Sequence, residues 1–354
     1  MTAMAYDAFL LVSFGGPEGP DDVMPFLRNV TRGRGIPDER LAEVATHYQH
    51  FGGVSPINGQ CRELLAAIGA GLGDAGIDLP IYWGNRNWTP YLADTVRQMR
   101  DDGVRRALAF VTSPYGSFSS CRQYLDDIAT ARATVGPDAP IIDKIRHYHD
   151  HPGHIRAHVD AVGAALATLP AERRATTRIA FTAHSIPVSM AAASGPGGGT
   201  DRYRSQLREV AALVTAEAAA DLGWDLVWQS RSGPPQVPWL EPDINHHLRR
   251  LADDGVTSVL VSPIGFISDH LEVAWDLDHE AAETAKELGL DFVRAATPGV
   301  HPSFVDMIMD LVGERLDPKR PRAALGRVPT WDSCPADCCR PPARPGRSDS
   351  HMIH

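Results

Sequence analysis

The 354-residue chain has no apolar run near the roughly 20 residues that a membrane-crossing helix needs. Its longest apolar stretches, Ala8–Ser13 and Ser258–Ile267, are short and rich in branched residues, as buried strands are. Excess positive charge is missing too: the formal net charge is −10, which argues against nucleic acid, whose phosphates demand a basic face. Met1–Asp7 has neither the basic start nor the apolar core of a secretion signal, so a cytoplasmic protein without a transmembrane segment is expected. A disulfide framework is not expected either. The five cysteines are an odd number, and Cys334, Cys338 and Cys339 crowd into the end of the chain. What is present, 43% apolar and 22% charged residues, is an ordinary globular composition long enough for two domains.

Short apolar strands alternate with longer helical stretches, which predicts an α/β fold with parallel sheets. The strands fall into two series. The first is Phe9–Phe14, Ile81–Gly84, Ala107–Thr112 and Pro140–Lys144; the second is Arg178–Thr182, Leu226–Gln229, Ser258–Ser262 and Asp291–Ala295. Strand ends match between the series: Ile81-Tyr-Trp-Gly-Asn-Arg runs parallel to Leu226-Val-Trp-Gln-Ser-Arg. One α/β unit used twice predicts halves at 5–150 and 151–317, with a cleft between them beyond the strands' carboxyl ends. The first half carries an extra excursion, roughly 15–60, that reads as a lip over the cleft, with a helix at 38–51 and with Arg28, Arg32, Arg34, His47, His50 and Ser55. The Pro- and Arg-rich tail, 318–354, is expected to be disordered unless something fastens it.

Three groups of residues bear chemistry. His184 leaves the carboxyl end of a strand in Ile179-Ala-Phe-Thr-Ala-His-Ser-Ile-Pro187, where imidazole suits proton abstraction or metal contact. Taken alone it is more readily a structural loop histidine. After the strand beginning at Ser258, a helix capped by Ser268 or Asp269 places Glu272, Asp276 and Glu280 four residues apart in a carboxylate row. Such a row passes a divalent cation towards the cleft, or is simply a solvated acidic face. His270, two residues before Glu272, is placed to orient it or share its proton. Finally, Arg86, Trp88, Arg231 and Trp239 follow the two second strands, where arginine pairs with carboxylates and indole stacks on flat rings.

At these residues the sequence resembles the ferrochelatase family over nearly the whole chain, most of all its actinobacterial coproporphyrin III branch. The match rests on Leu10-Leu-Val-Ser-Phe-Gly-Gly-Pro, His50-Phe-Gly-Gly-Val-Ser-Pro-Ile, Phe181-Thr-Ala-His-Ser-Ile-Pro, Gly233–Leu240 and Ser268-Asp-His-Leu-Glu. The resemblance implies two flavodoxin-like halves with a porphyrin between them. It implies His184 and Glu272 as catalytic and metal-contacting residues facing each other across the porphyrin, and Asp276 and Glu280 on a metal-delivery path. Arg32, Ser55, Arg86, Tyr124 and Trp239 would surround the macrocycle. Some relatives have a tyrosine as axial metal contact where this chain has Phe14, which has no ligating atom. The lip Pro25-Phe-Leu-Arg-Asn-Val-Thr-Arg-Gly-Arg-Gly is polar and basic, which favours the more carboxylated coproporphyrin III over protoporphyrin IX. Relatives with a C-terminal extension bind a 2Fe–2S cluster through one internal and three tail cysteines, which here implies Cys121, Cys334, Cys338 and Cys339. Zinc and free thiols stay open for these cysteines, and Cys61 reads as a plain small residue. The expected reaction inserts ferrous iron as substrate, with a transient haem-pathway partner to take the product. A cobalt chelatase and a non-enzymatic porphyrin or haem carrier are the rivals.

Overall fold

The computed structural model describes residues 6–33 and 35–341. Arg34, the start of the N-terminal segment and the tail beyond Pro341 lie outside the described residues. Among the described residues, eight parallel strands form two sheets. The first has β1 (Ala8–Ser13), β2 (Ile81–Asn85), β3 (Arg106–Val111) and β4 (Ile141–Lys144) in the order β2-β1-β3-β4. In the second, β5 (Arg178–His184), β6 (Trp224–Gln229), β7 (Ser258–Ser262) and β8 (Asp291–Arg294) take the order β6-β5-β7-β8. The same order in both sheets is that of a flavodoxin-like unit, so the duplicated α/β fold read from the sequence is present. Every residue of β1 and of β7 is buried, because helices cover both faces of a parallel sheet. This is why these strands read as unbroken apolar runs.

The helices tie the halves together. Helix Pro152–Ala167 gives Ile155, Val159 and Val162 to the core of the second sheet. The final helix, Pro302–Leu316, returns to the first sheet, where Phe304, Met307, Ile308 and Leu311 pack with Phe9, Leu11 and Ile68. The two helices meet where Gly153 has no side chain: a Cβ there would lie 2.2 Å from the Ser303 carbonyl oxygen. The connection between halves is unusually polar for a buried segment. His147, His149, His151, His154 and His158 are all buried, and so is Arg146, which pairs with Glu314 at 2.7 Å.

The tail forms no regular structure up to Pro341 but is fastened. Arg146 donates to the Ala323 carbonyl, Leu325 N–H to the Asp150 carbonyl, and Arg122 to the Ala336 carbonyl. Val328 N–H donates to Glu209 of the second half at 3.1 Å, so the strap touches both halves. In the lip, helices Val23–Val30 and Asp38–His50 share a small core of Val23, Phe26, Leu27, Leu41 and Ala45, against which Phe14, Tyr48 and Trp88 pack. Among the described residues, no helix is long and apolar enough to cross a membrane.

Candidate active site

The carboxyl ends of the two sheets face one another: Tyr115 donates to the Ile264 carbonyl at 2.7 Å, and Asp269 N–H to Gln60 at 2.8 Å. His184 is the last residue of β5. Its main chain is pinned because its carbonyl accepts from the Tyr203 hydroxyl at 2.8 Å and the next N–H, of Ser185, donates to Gln229. Its Nδ1–H donates to the Ser185 carbonyl, leaving Nε2 with a free lone pair 3.8 Å from Glu272 Oε1. Both side chains keep part of their surface open, 34% and 42%, and are otherwise packed by the surrounding protein.

That environment sets their protonation. Burial lowers the His184 pKa, opposed by the hydrogen bond to Ser185 and the charge of Asp276. Burial raises Glu272 to about 7. Asp276 is also raised to about 7, by burial and by the charge of Glu272, against the opposing pull of the Ser230 hydroxyl and the Gln229 amide. A neutral imidazole therefore stands beside two carboxyls that do not readily ionise together.

The pair corrects one expectation. His184 and Glu272 cannot face each other across a macrocycle, because a flat ring between them needs about 7 Å, one van der Waals contact on each side. Both come from the second half and stand side by side. The helix after β7 also differs from expectation. Neither Ser268 nor Asp269 caps it; Asp269 is held by Arg294, and His270 Nδ1 accepts the Val273 N–H at 3.4 Å. His270 is thus a cap, driven to a pKa of about 3 by burial and by His184, and not a proton partner of Glu272. After the single turn Leu271–Val273 the chain runs as a π-helix over Ala274–Ala281, which carries Asp276 and Glu280. Asp276 stays beside Glu272, whereas Glu280 is exposed at the outer end and accepts from the Trp275 indole at 2.9 Å.

The expected macrocycle residues are less alike than their motifs suggest. Arg32 is exposed on the lip, and Trp239 is half-buried with its indole N–H unpartnered. Ser55 and Tyr124 are each only 4% exposed. Arg86 ion-pairs with Asp127 and lies 4.6 Å over the Tyr124 ring, so the two brace the first half. Tyr48, Gln229 and Ser230 were missed. Tyr48 reaches from the lip towards Glu272, and burial together with that carboxylate raises its phenol pKa. No motif marks it; only the packing of the lip on the second half does.

The tail meets the first half at Cys121 and the second half at Gly195. Cys334 is in hydrogen-bonding range of Cys121 and of Cys338, and Cys338 Sγ lies 3.7 Å from Cys339 Sγ. Cys339 also accepts the Gly195 N–H at 3.3 Å. Its neighbours push the Cys334 pKa down, the Cys121 and Cys338 thiols first and the charges of His147 and Lys144 last. Cys61 is apart from these, buried in the core. Among the described residues no three His, Cys, Asp or Glu side chains converge on a single metal-ion position.

The ferrochelatase family model matches residues 6–316. The chain belongs to the ferrochelatase family. It is a metal chelatase, and its similarity to curated family members is close. It is 55% identical over 349 residues to the coproporphyrin III ferrochelatase of Nocardia farcinica, covering 97% of this chain and 99% of that one. To the coproporphyrin III ferrochelatase of Mycolicibacterium smegmatis it is 55% identical over 326 residues, 92% of this chain and 94% of that one. The ferrochelatase of Rhodopirellula baltica is 53% identical over 349 residues, 97% of each. Among solved structures, SirB from Bacillus subtilis with Fe3+ matches 90% of this chain and 99% of its own at a TM-score of 0.52. At 12% identity that likeness speaks for the fold alone.

Proposed function

We propose that this chain inserts ferrous iron into coproporphyrin III to give coprohaem in haem biosynthesis, with His184 and Glu272 at the reacting centre. The observation that carries the assignment is the His184–Glu272 pair at 3.8 Å, with Asp276 directly behind it, in a family member whose close relatives bear that activity as their name. Coproporphyrin lies between the lip and the second half, with one face towards the pair. His184, neutral and with Nε2 free, takes a pyrrole proton. Iron arrives past Glu280 and Asp276 to Glu272; its charge favours their ionised forms and leaves Glu272 able to accept the second proton. The stoichiometry closes: two pyrrole protons leave and one divalent ion enters. The basic lip with Arg32 and the indole of Trp239 form the rim, while Arg86, Tyr124 and Ser55 support it from within. The reaction belongs to the cytoplasm, where Cys61 stays a thiol.

Cys121, Cys334, Cys338 and Cys339 are read as ligands of a 2Fe–2S cluster. Four thiols match its ligand count, Cys334 is within reach of both Cys121 and Cys338, and a two-iron group does not need one shared ion position. Such a cluster supplies one-electron redox chemistry and a cross-link from the strap to the first half. Iron insertion needs neither. Anaerobic incubation with ferrous iron and coproporphyrin III or protoporphyrin IX, followed by absorbance, tests the function. Faster metallation of coproporphyrin III is expected; tight haem binding without metallation would instead make the protein a carrier.

A further inference from the structure

One side chain joins the lip to the carboxylate row. Trp275 stacks on His47 with ring centroids 3.9 Å apart and planes 6° from parallel. His47 belongs to lip helix Asp38–His50 of the first half, and Trp275 to the π-helix of the second. His50 adds an edge contact to the same indole at 5.6 Å and lies 4.5 Å from the His279 ring. The indole N–H, in turn, is committed to Glu280, which is exposed and would otherwise sample many rotamers. The face of the ring is thus fixed by the lip and its edge fixes the outermost carboxylate. A single aromatic stack of this kind is weak enough to part and re-form as a ligand enters.

We propose that Trp275 is a positioning residue: when the lip is seated it aligns Glu280 with Asp276 and Glu272, so that closing over the tetrapyrrole and presenting the entry carboxylate to iron are a single event. This rests on reading the row as the path of iron, and the test separates the two ideas. Trp275→Phe keeps the stack and removes the N–H; Glu280→Gln alters the acceptor; His47→Ala removes the lip's side of the stack. Initial rates are measured against ferrous iron and against coproporphyrin III, with circular dichroism to establish folding. Trp275→Phe should raise KM for iron about fivefold, the worth of one exposed hydrogen bond to a charge, and leave KM for porphyrin within about twofold. His47→Ala should raise both. Trp275→Phe combined with Glu280→Gln should be no worse than the poorer single variant. If Glu280→Gln leaves KM for iron unchanged, the path itself is wrong and the proposal falls with it. If Glu280→Gln acts but Trp275→Phe does not, or if their effects multiply, the path stands and the positioning role is overturned.

Discussion

The two halves share a strand order and even a local distortion, yet use them for opposite ends. Each has a π-helix after its third strand: Phe118–Arg122 beyond β3 and Ala274–Ala281 beyond β7. In the first half that turn presents the buried thiol of Cys121 to the tail; in the second it carries Asp276 and Glu280 behind Glu272. At the exits of the first strands the contrast repeats. β5 ends in His184, which faces the cleft, whereas β1 leads to Phe14, which packs with Phe26 of the lip. The equivalent arginines diverge as well: Arg86 is clamped by Asp127, and Arg231 is exposed beside its own loop's carbonyls. The lesson is that the repeat specifies positions and not chemistry. One copy became a clamp and an anchor, and the other kept the ionisable groups.

The largest expected effect breaks that asymmetry at its centre. His184→Ala should cost at least about 100-fold in iron insertion, read by loss of free porphyrin absorbance, with an unchanged circular dichroism spectrum. Near-normal turnover would remove the histidine from the mechanism. Next, Cys121→Ser tests whether the corresponding turn of the first half serves a different purpose. The visible absorbance and iron content of the purified protein should be lost while coproporphyrin binding persists; an unchanged spectrum would rule out the cysteine assignment.

A third substitution asks how far the halves depend on their shared helices. Gly153→Ala should destabilise by about 1–3 kcal/mol in urea unfolding, because its methyl would collide with the Ser303 main chain. The smallest effect is a pH dependence. Because Glu272 is raised to about 7, the folded state holds its proton between the ordinary carboxyl range and neutrality, and stability falls as pH rises through that window. Glu272→Gln should therefore raise the Tm of the metal-free protein at pH 8, with the gain shrinking towards pH 4.5. An equal gain at both values would mean that the carboxyl is not perturbed.

Much of this was legible from residue order. All eight strands announced themselves as short apolar stretches, although only β1 and β7 are buried throughout, and their ends repeated. His184 and Glu272 stood out because both follow strands of one half. The failures are instructive too. The cap of the helix after β7 was misread because Asp269, the obvious candidate, is taken by Arg294, which is distant in sequence. The direct contact of His184 and Glu272 was missed because spacing along a chain carries no information about how two loops approach one another. Tyr48 and Trp275 had no motif at all.

The sequence by itself determined the duplicated sheets, the strand ends where chemistry gathers and the family, since apolar periodicity and local motifs are properties of neighbouring residues. Tertiary structure alone decided that a histidine and a carboxyl stand 3.8 Å apart, that burial lifts the carboxyl towards neutrality, and that the tail's thiols reach Cys121. Those depend on desolvation and on distances between segments far apart in the chain, and both exist only in the folded structure.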